Sequence, residues 1–133
     1  MALKKHRKPP KPTEAELELL RVLWADGPRT VGEIHEAQSA KGTGYTTTLK
    51  VLQRMMEKGL VLRDDGSRPH VYRAAIEAEK TQRQLVRDLL QRAFGGSSAQ
   101  LVVQALSEEP ASAEELAKIR ALLDEIEGKK AGD

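Results

Sequence analysis

The 133-residue chain is 39% hydrophobic and 32% charged, enough for one real core but hardly for two full-sized ones. It has no cysteine, which excludes a disulfide framework, a thiol redox sensor and any thiolate metal site. Its net charge of +2 is unevenly spread: residues 1–75 hold 14 Lys/Arg against 9 Asp/Glu and residues 76–133 hold 8 against 11, so balances of +5 and −3 make up the whole. That split suggests a first part facing a polyanion and a second part facing protein. The only aromatics are Trp24, Tyr45, Tyr72 and Phe94, so a small leucine-valine core is implied, finished by a second subunit. His6, His35 and His70 lie too far apart to form a ligand-spaced pair, and neither metal nor cofactor is expected. No apolar run approaches the ~20 residues of a membrane span. The basic N-terminus has no hydrophobic stretch like that of a signal peptide, so a cytoplasmic location without membrane insertion is expected.

Residues 1–12, with five Lys/Arg and three prolines, read as a disordered basic arm: a phosphate-tracking segment or merely a solubilising tail. Thr13 with Glu16 then forms a capping box, and Leu17, Leu20, Leu23 and Trp24 recur at helical spacing until Asp26-Gly27-Pro28 ends the run. Thr30 with Glu33 opens a second, short helix with Val31, Ile34 and Ala37 inward, ending near Ser39. After a polar loop at 41–44, a third helix runs from Tyr45 to Lys58, stopped by Gly59. Leu60 to Arg63 and His70 to Arg73 read as strands around the turn residues 64–69, a β-hairpin. Three helices and a hairpin over residues 13–75 have the order of a winged helix-turn-helix.

Helical patterning resumes at Ala78 and fills a second domain, residues 76–127, leaving 128–133 as a polar tail. Leu85, Val86, Leu89, Leu90 and Ala93 form one stripe, broken by Phe94-Gly95-Gly96-Ser97. Leu101, Val102, Ala105 and Leu106 belong to a short helix ending before Pro110. Ser112 with Glu115 caps a last helix, in which Leu116, Ile119, Leu123 and Ile126 repeat with heptad-like spacing. These short segments bury little by themselves. A dimer interface through Leu85, Leu89, Leu101, Leu106, Leu116, Ile119, Leu123 and Ile126 would complete them, and folding back onto the winged domain is the alternative. The expected fold class is thus mostly α with a small β-hairpin wing, a winged helix-turn-helix followed by a helical dimerisation domain.

The chemistry concentrates on the third helix. At about 100° per residue, Lys50, Arg54 and Lys58 share a face with Thr47, Thr46 lies at its edge, and Leu49, Leu52 and Met56 lie opposite. The N-terminal part of such a helix contacts base edges in the major groove. Threonine offers a hydroxyl, and lysine or arginine donates to guanine or phosphate. A polar face on an amphipathic helix is commonly just solvated. The following hairpin, with Arg63, Arg68, His70 and Arg73, tips the reading toward DNA. Arg68 near the turn is the best wing contact, and His70 reads as an ordinary strand residue. Asp64 and Asp65 are turn formers rather than a catalytic pair, and no phosphate loop or nucleophile constellation is present, so an enzyme is not expected. A winged-helix protein-interaction module stays open as the second reading.

The stretches PTEAELELLRVLW, TVGEIHEA, YTTTLKVLQRMMEKGLV, RDDGSRPHVYRA and FGGSSAQLVVQAL resemble the penicillinase-repressor (BlaI/MecI) family over about residues 12–127. The resemblance implies a homodimeric repressor on a palindromic double-stranded DNA operator. Tyr45, Thr46, Thr47, Lys50, Arg54 and Arg68 would then contact DNA. It raises a membrane sensor protease as a further partner. Family members that respond to β-lactams are cleaved in the C-terminal domain, commonly at Asn-Phe, and here Gln104-Ala105 stands in the aligned place. The copper-responsive branch carries cysteines this chain lacks, which excludes copper sensing through thiolates.

Overall fold

The computed structural model describes residues 10–38 and 42–132, which divide near residue 87 into two compact units. The expected arm lies outside the described residues up to position 9, and its last residue, Pro12, is buried rather than free.

In the first unit, α1 (Glu14–Asp26) starts at the expected capping box. The Thr13 hydroxyl accepts from the Glu16 N–H at 3.2 Å, and the Glu16 carboxylate accepts from the Thr13 N–H at 2.9 Å. It stops at Gly27, whose φ of +81° suits a residue without a Cβ. Strand β1 (Arg29–Thr30) has no signal in the sequence, because two residues carry no alternation. Helix α2 (Val31–Ala37) opens on the second box, with Thr30 and Glu33 exchanging bonds of 3.2 and 2.9 Å. Val31 and Ile34 face inward as expected, but Ala37 is exposed because the helix ends there, and Gln38 occupies the buried position.

Helix α3 (Tyr45–Lys58) has the expected bounds. Gly59, at φ +78° and ψ +18°, closes it in a Schellman arrangement: its N–H donates to the Met56 carbonyl and that of Leu60 to the Met55 carbonyl. Leu60 is therefore a buried helix-stop residue, not a strand residue, and the hairpin is displaced by one position to β2 (Val61–Asp64) and β3 (Val71–Ala74). The three strands form an antiparallel sheet in the order β1-β3-β2, with Arg29 opposite Tyr72 and Arg63 opposite Tyr72 on the other side.

Leu19, Leu20, Leu23, Val31, Ile34, Leu52, Met55, Leu60, Val61 and Tyr72 make up the core, each large side chain contributing about 1.5–3 kcal/mol of transfer free energy. Trp24 packs on its margin and donates its indole N–H to the Ile76 carbonyl at 2.8 Å, clamping the segment after the wing onto α1.

Helix α4 (Ala78–Ala93) crosses the division between the units. In the second unit Gly95 and Gly96, at φ +55° and +85°, turn the chain into α5 (Ser98–Glu108), capped by the Ser97 hydroxyl. The Ser112–Glu115 capping box, with bonds of 2.9 and 3.1 Å, opens α6 (Ala113–Gly132). Residues 128–132, read from sequence as a polar tail, continue this helix. Lys129 and Lys130 in its last turn suit the negative end of the helix dipole.

Candidate nucleic-acid interface

Helix α3 presents two unlike faces. Thr48, Leu52 and Met55 are buried, and Leu49, Val51 and Met56 pack on the core margin. Thr46, Thr47, Lys50, Gln53, Arg54 and Glu57 are exposed. On a wheel of about 100° per residue the exposed set centres on Lys50, with Thr46 and Gln53 on one flank and Thr47 and Arg54 on the other. Lys50 and Arg54 form no ion pair or hydrogen bond among the described residues, so both cations stand ready for an external anion.

This face is rotated from the one read off the sequence, which included Lys58 and passed over Gln53. Lys58 turns inward: its ammonium lies 2.6 Å from the Glu16 carboxylate, which is wholly buried, and 3.4 Å from the Lys11 carbonyl. Burial pushes the Glu16 carboxyl up, but the Lys58 hydrogen bond, the Thr13 backbone N–H and the Lys58 charge together outweigh it and hold the group below the ordinary carboxylate range. Glu16 was legible as a cap but not as a buried partner, since its second role depends on a residue 42 positions away.

The first turn of α3 is braced on α2. The Thr48 hydroxyl lies 3.5 Å from His35 Nδ1 and 3.4 Å from the Gly44 carbonyl, and the exposed Tyr45 ring meets the His35 ring edge-on with centroids 5.9 Å apart. The helix has no side-chain N-cap at Gly44, which leaves its first N–H groups toward solvent with the two threonines.

In the wing, Arg68 is exposed and forms no ion pair among the described residues. Arg63 faces the core side opposite Tyr72 and bonds to Asp65, which raises the guanidinium pKa. His70 approaches Asp65 at 3.9 Å. Arg73 lies on the outer sheet face opposite the exposed Leu62. Of the four basic hairpin residues, Arg63 is thus already engaged within the wing.

In the second unit no side chain between 88 and 130 is fully buried among the described residues. Of the expected interface residues, Leu89, Leu123 and Ile126 are exposed, while Leu101, Leu106, Leu116 and Ile119 are half-buried. Leu85, in the first unit, is half-buried beside Leu17 and Trp24. Gln104 and Ala105 lie inside α5. Among the described residues no group of His, Asp or Glu is placed to hold a metal, and no helix is long and apolar enough to cross a membrane.

The Penicillinase repressor family profile matches residues 12–125. The chain is 33% identical over 116 residues to the transcriptional regulator BlaI of Mycobacterium tuberculosis, covering 86% of this chain and 83% of that protein. It is 25% identical over 125 residues to the penicillinase repressor of Bacillus licheniformis, covering 93% and 98%. Among solved structures it is similar to a MarR family protein from Bacillus stearothermophilus, at 23% identity, 90% and 75% coverage and a TM-score of 0.48. With that profile and those relatives spanning both units, the chain belongs to the penicillinase repressor family.

Proposed function

We propose that this protein represses transcription by binding, as a homodimer, a DNA operator with two-fold symmetry. The observation that carries this reading is the exposed face of α3, where Lys50 and Arg54 stand beside Thr46 and Thr47 with no partner among the described residues. Winged-helix proteins lay such a helix in the major groove, where threonine and lysine meet base edges. Thr46, Thr47 and Lys50 would read bases. Arg54 and the wing residue Arg68 would grip phosphates, and Tyr45 would close the backbone side of the first turn.

The dimer is supported by the second unit, whose α5 and α6 leave Val103 63% and Leu122 55% exposed. A second copy of the chain would cover these exposed apolar side chains and would also give the two-fold repeat an operator needs.

The test is a gel-shift titration with the DNA upstream of the gene, against scrambled competitor, at two salt concentrations. A competitor-resistant complex containing two protein chains is expected. Binding abolished equally by any competitor would instead point to a protein partner for α3.

A further inference from the structure

We propose that Gln53 is a specificity-determining residue of the recognition helix, reading an adenine in the base pair next to the one read by Lys50. The inference rests on the DNA-binding role proposed above and names the base chemistry of that same face.

Gln53 lies on the third turn of α3 and is exposed. Its flank of the wheel also holds Thr46, and Lys50 lies between that flank and Arg54. Its side-chain amide has no hydrogen-bond partner among the described residues, although the buried threonine of the same helix, Thr48, is bonded on two sides. Glu57, one turn further on, brings negative charge to the end of this ridge and makes it a poor phosphate track. An uncharged amide gains nothing from counterion release, which drives phosphate contacts. What a glutamine does offer is a donor and an acceptor in a fixed fork, matching the N6 donor and N7 acceptor of adenine in the major groove.

The spacing fixes the neighbour. Three residues of helix advance about 4.5 Å along the axis, a little over the ~3.4 Å step between base pairs on one strand. Lys50 and Gln53 therefore address adjacent pairs, the lysine donating to a guanine and the glutamine pairing with an adenine. Such a pair of contacts would give each half-site a G·C pair beside an A·T pair at fixed register.

The experiment selects bound sequences from randomised duplex DNA with the full-length protein and with Gln53→Ala and Gln53→Arg, both changes at an exposed helix position. The wild type is expected to enrich one motif. Gln53→Ala should keep that motif but lose the A·T preference at one pair, by about fivefold or more in the ratio of A·T to G·C, with the adjacent pair unchanged. Gln53→Arg should move the preference at that pair to G·C. Unchanged motifs for all three proteins would overturn the role of Gln53 while leaving the DNA reading standing. No enriched motif from the wild type would overturn both.

Discussion

The ammonium of Lys58, at the end of α3, is held 2.6 Å from a Glu16 carboxylate that no solvent reaches. One carboxylate thus serves two elements: it caps α1 through Thr13 and anchors the end of α3 through Lys58. Its second oxygen has no hydrogen-bond partner among the described residues, so compensation of the buried charge falls on the first, which takes both the Lys58 ammonium and the Thr13 N–H.

Removing either side of this pair should therefore cost unequally. Lys58→Met strands a buried carboxylate and should destabilise the fold by on the order of 3 kcal/mol, the low end for breaking a buried pair, because Lys58 retains some water. Glu16→Gln keeps the cap, since glutamine serves at that position, and lets Lys58 turn to solvent, so about 1 kcal/mol is expected. Urea unfolding of the two variants measures both. Equal losses would mean that the ion pair is not what Lys58 contributes.

Acid should unfold the first unit through the same carboxylate. The folded pKa of Glu16 is lowered, so its contribution is fully present above the ordinary glutamate pKa and is lost as pH falls through the depressed folded value. The exposed Glu33, whose pKa the Thr30 backbone N–H lowers, acts in the same sense. Stability measured from pH 6 downward should fall more steeply for the wild type than for Glu16→Gln. Parallel curves would remove Glu16 from the account.

Most of this scaffold is legible in the sequence because its signals are local. Three Ser/Thr-x-x-Glu boxes mark helix starts, and Gly59 marks the end of α3 within the residue. What escaped depended on distant partners. β1 exists only by pairing with Tyr72 and Val71, and the centre of the exposed face of α3 depends on Lys58 turning toward Glu16. Residues of one charge look alike on a helical wheel, and only packing separates a solvent cation from an internal one. Arg63 repeats the lesson, reading as a wing cation but bonded to Asp65.

Gly59 tests the link between turn chemistry and stability without touching packing. A Cβ built there meets nothing within 4 Å, so Gly59→Ala carries only the conformational penalty of its φ of +78°. The expected loss is about 1–2 kcal/mol, read as a lower denaturation midpoint at constant slope. An unchanged midpoint would show that the α3 stop relaxes to another geometry.

Base and phosphate contacts separate by salt. If Arg54 and Arg68 grip phosphates, replacing either with alanine should weaken operator and random DNA alike and reduce the slope of log affinity against log salt by about 0.9. Lys50→Ala should cost about 1–3 kcal/mol on the operator, with little loss on random DNA. Equal losses on both DNAs would turn Lys50 into a phosphate contact.

The proposed dimer rests on the second unit. α5 and α6 carry Val102, Val103, Leu122, Leu123 and Ile126 at 44–63% exposure, with no side chain between 88 and 130 fully buried among the described residues. Large apolar side chains exposed in such number on two short helices are what the proposed dimer interface would cover. Replacing Leu123 or Ile126 with glutamate should place charge in that interface and shift sedimentation at micromolar concentration from dimer to monomer. The winged unit has its own core, so its circular dichroism should persist while operator affinity collapses, because on the proposed two-fold operator one copy alone would read only half of the site. A variant that stays dimeric would move the interface elsewhere on α5 and α6. A wild type that sediments as a monomer would end the dimer reading altogether.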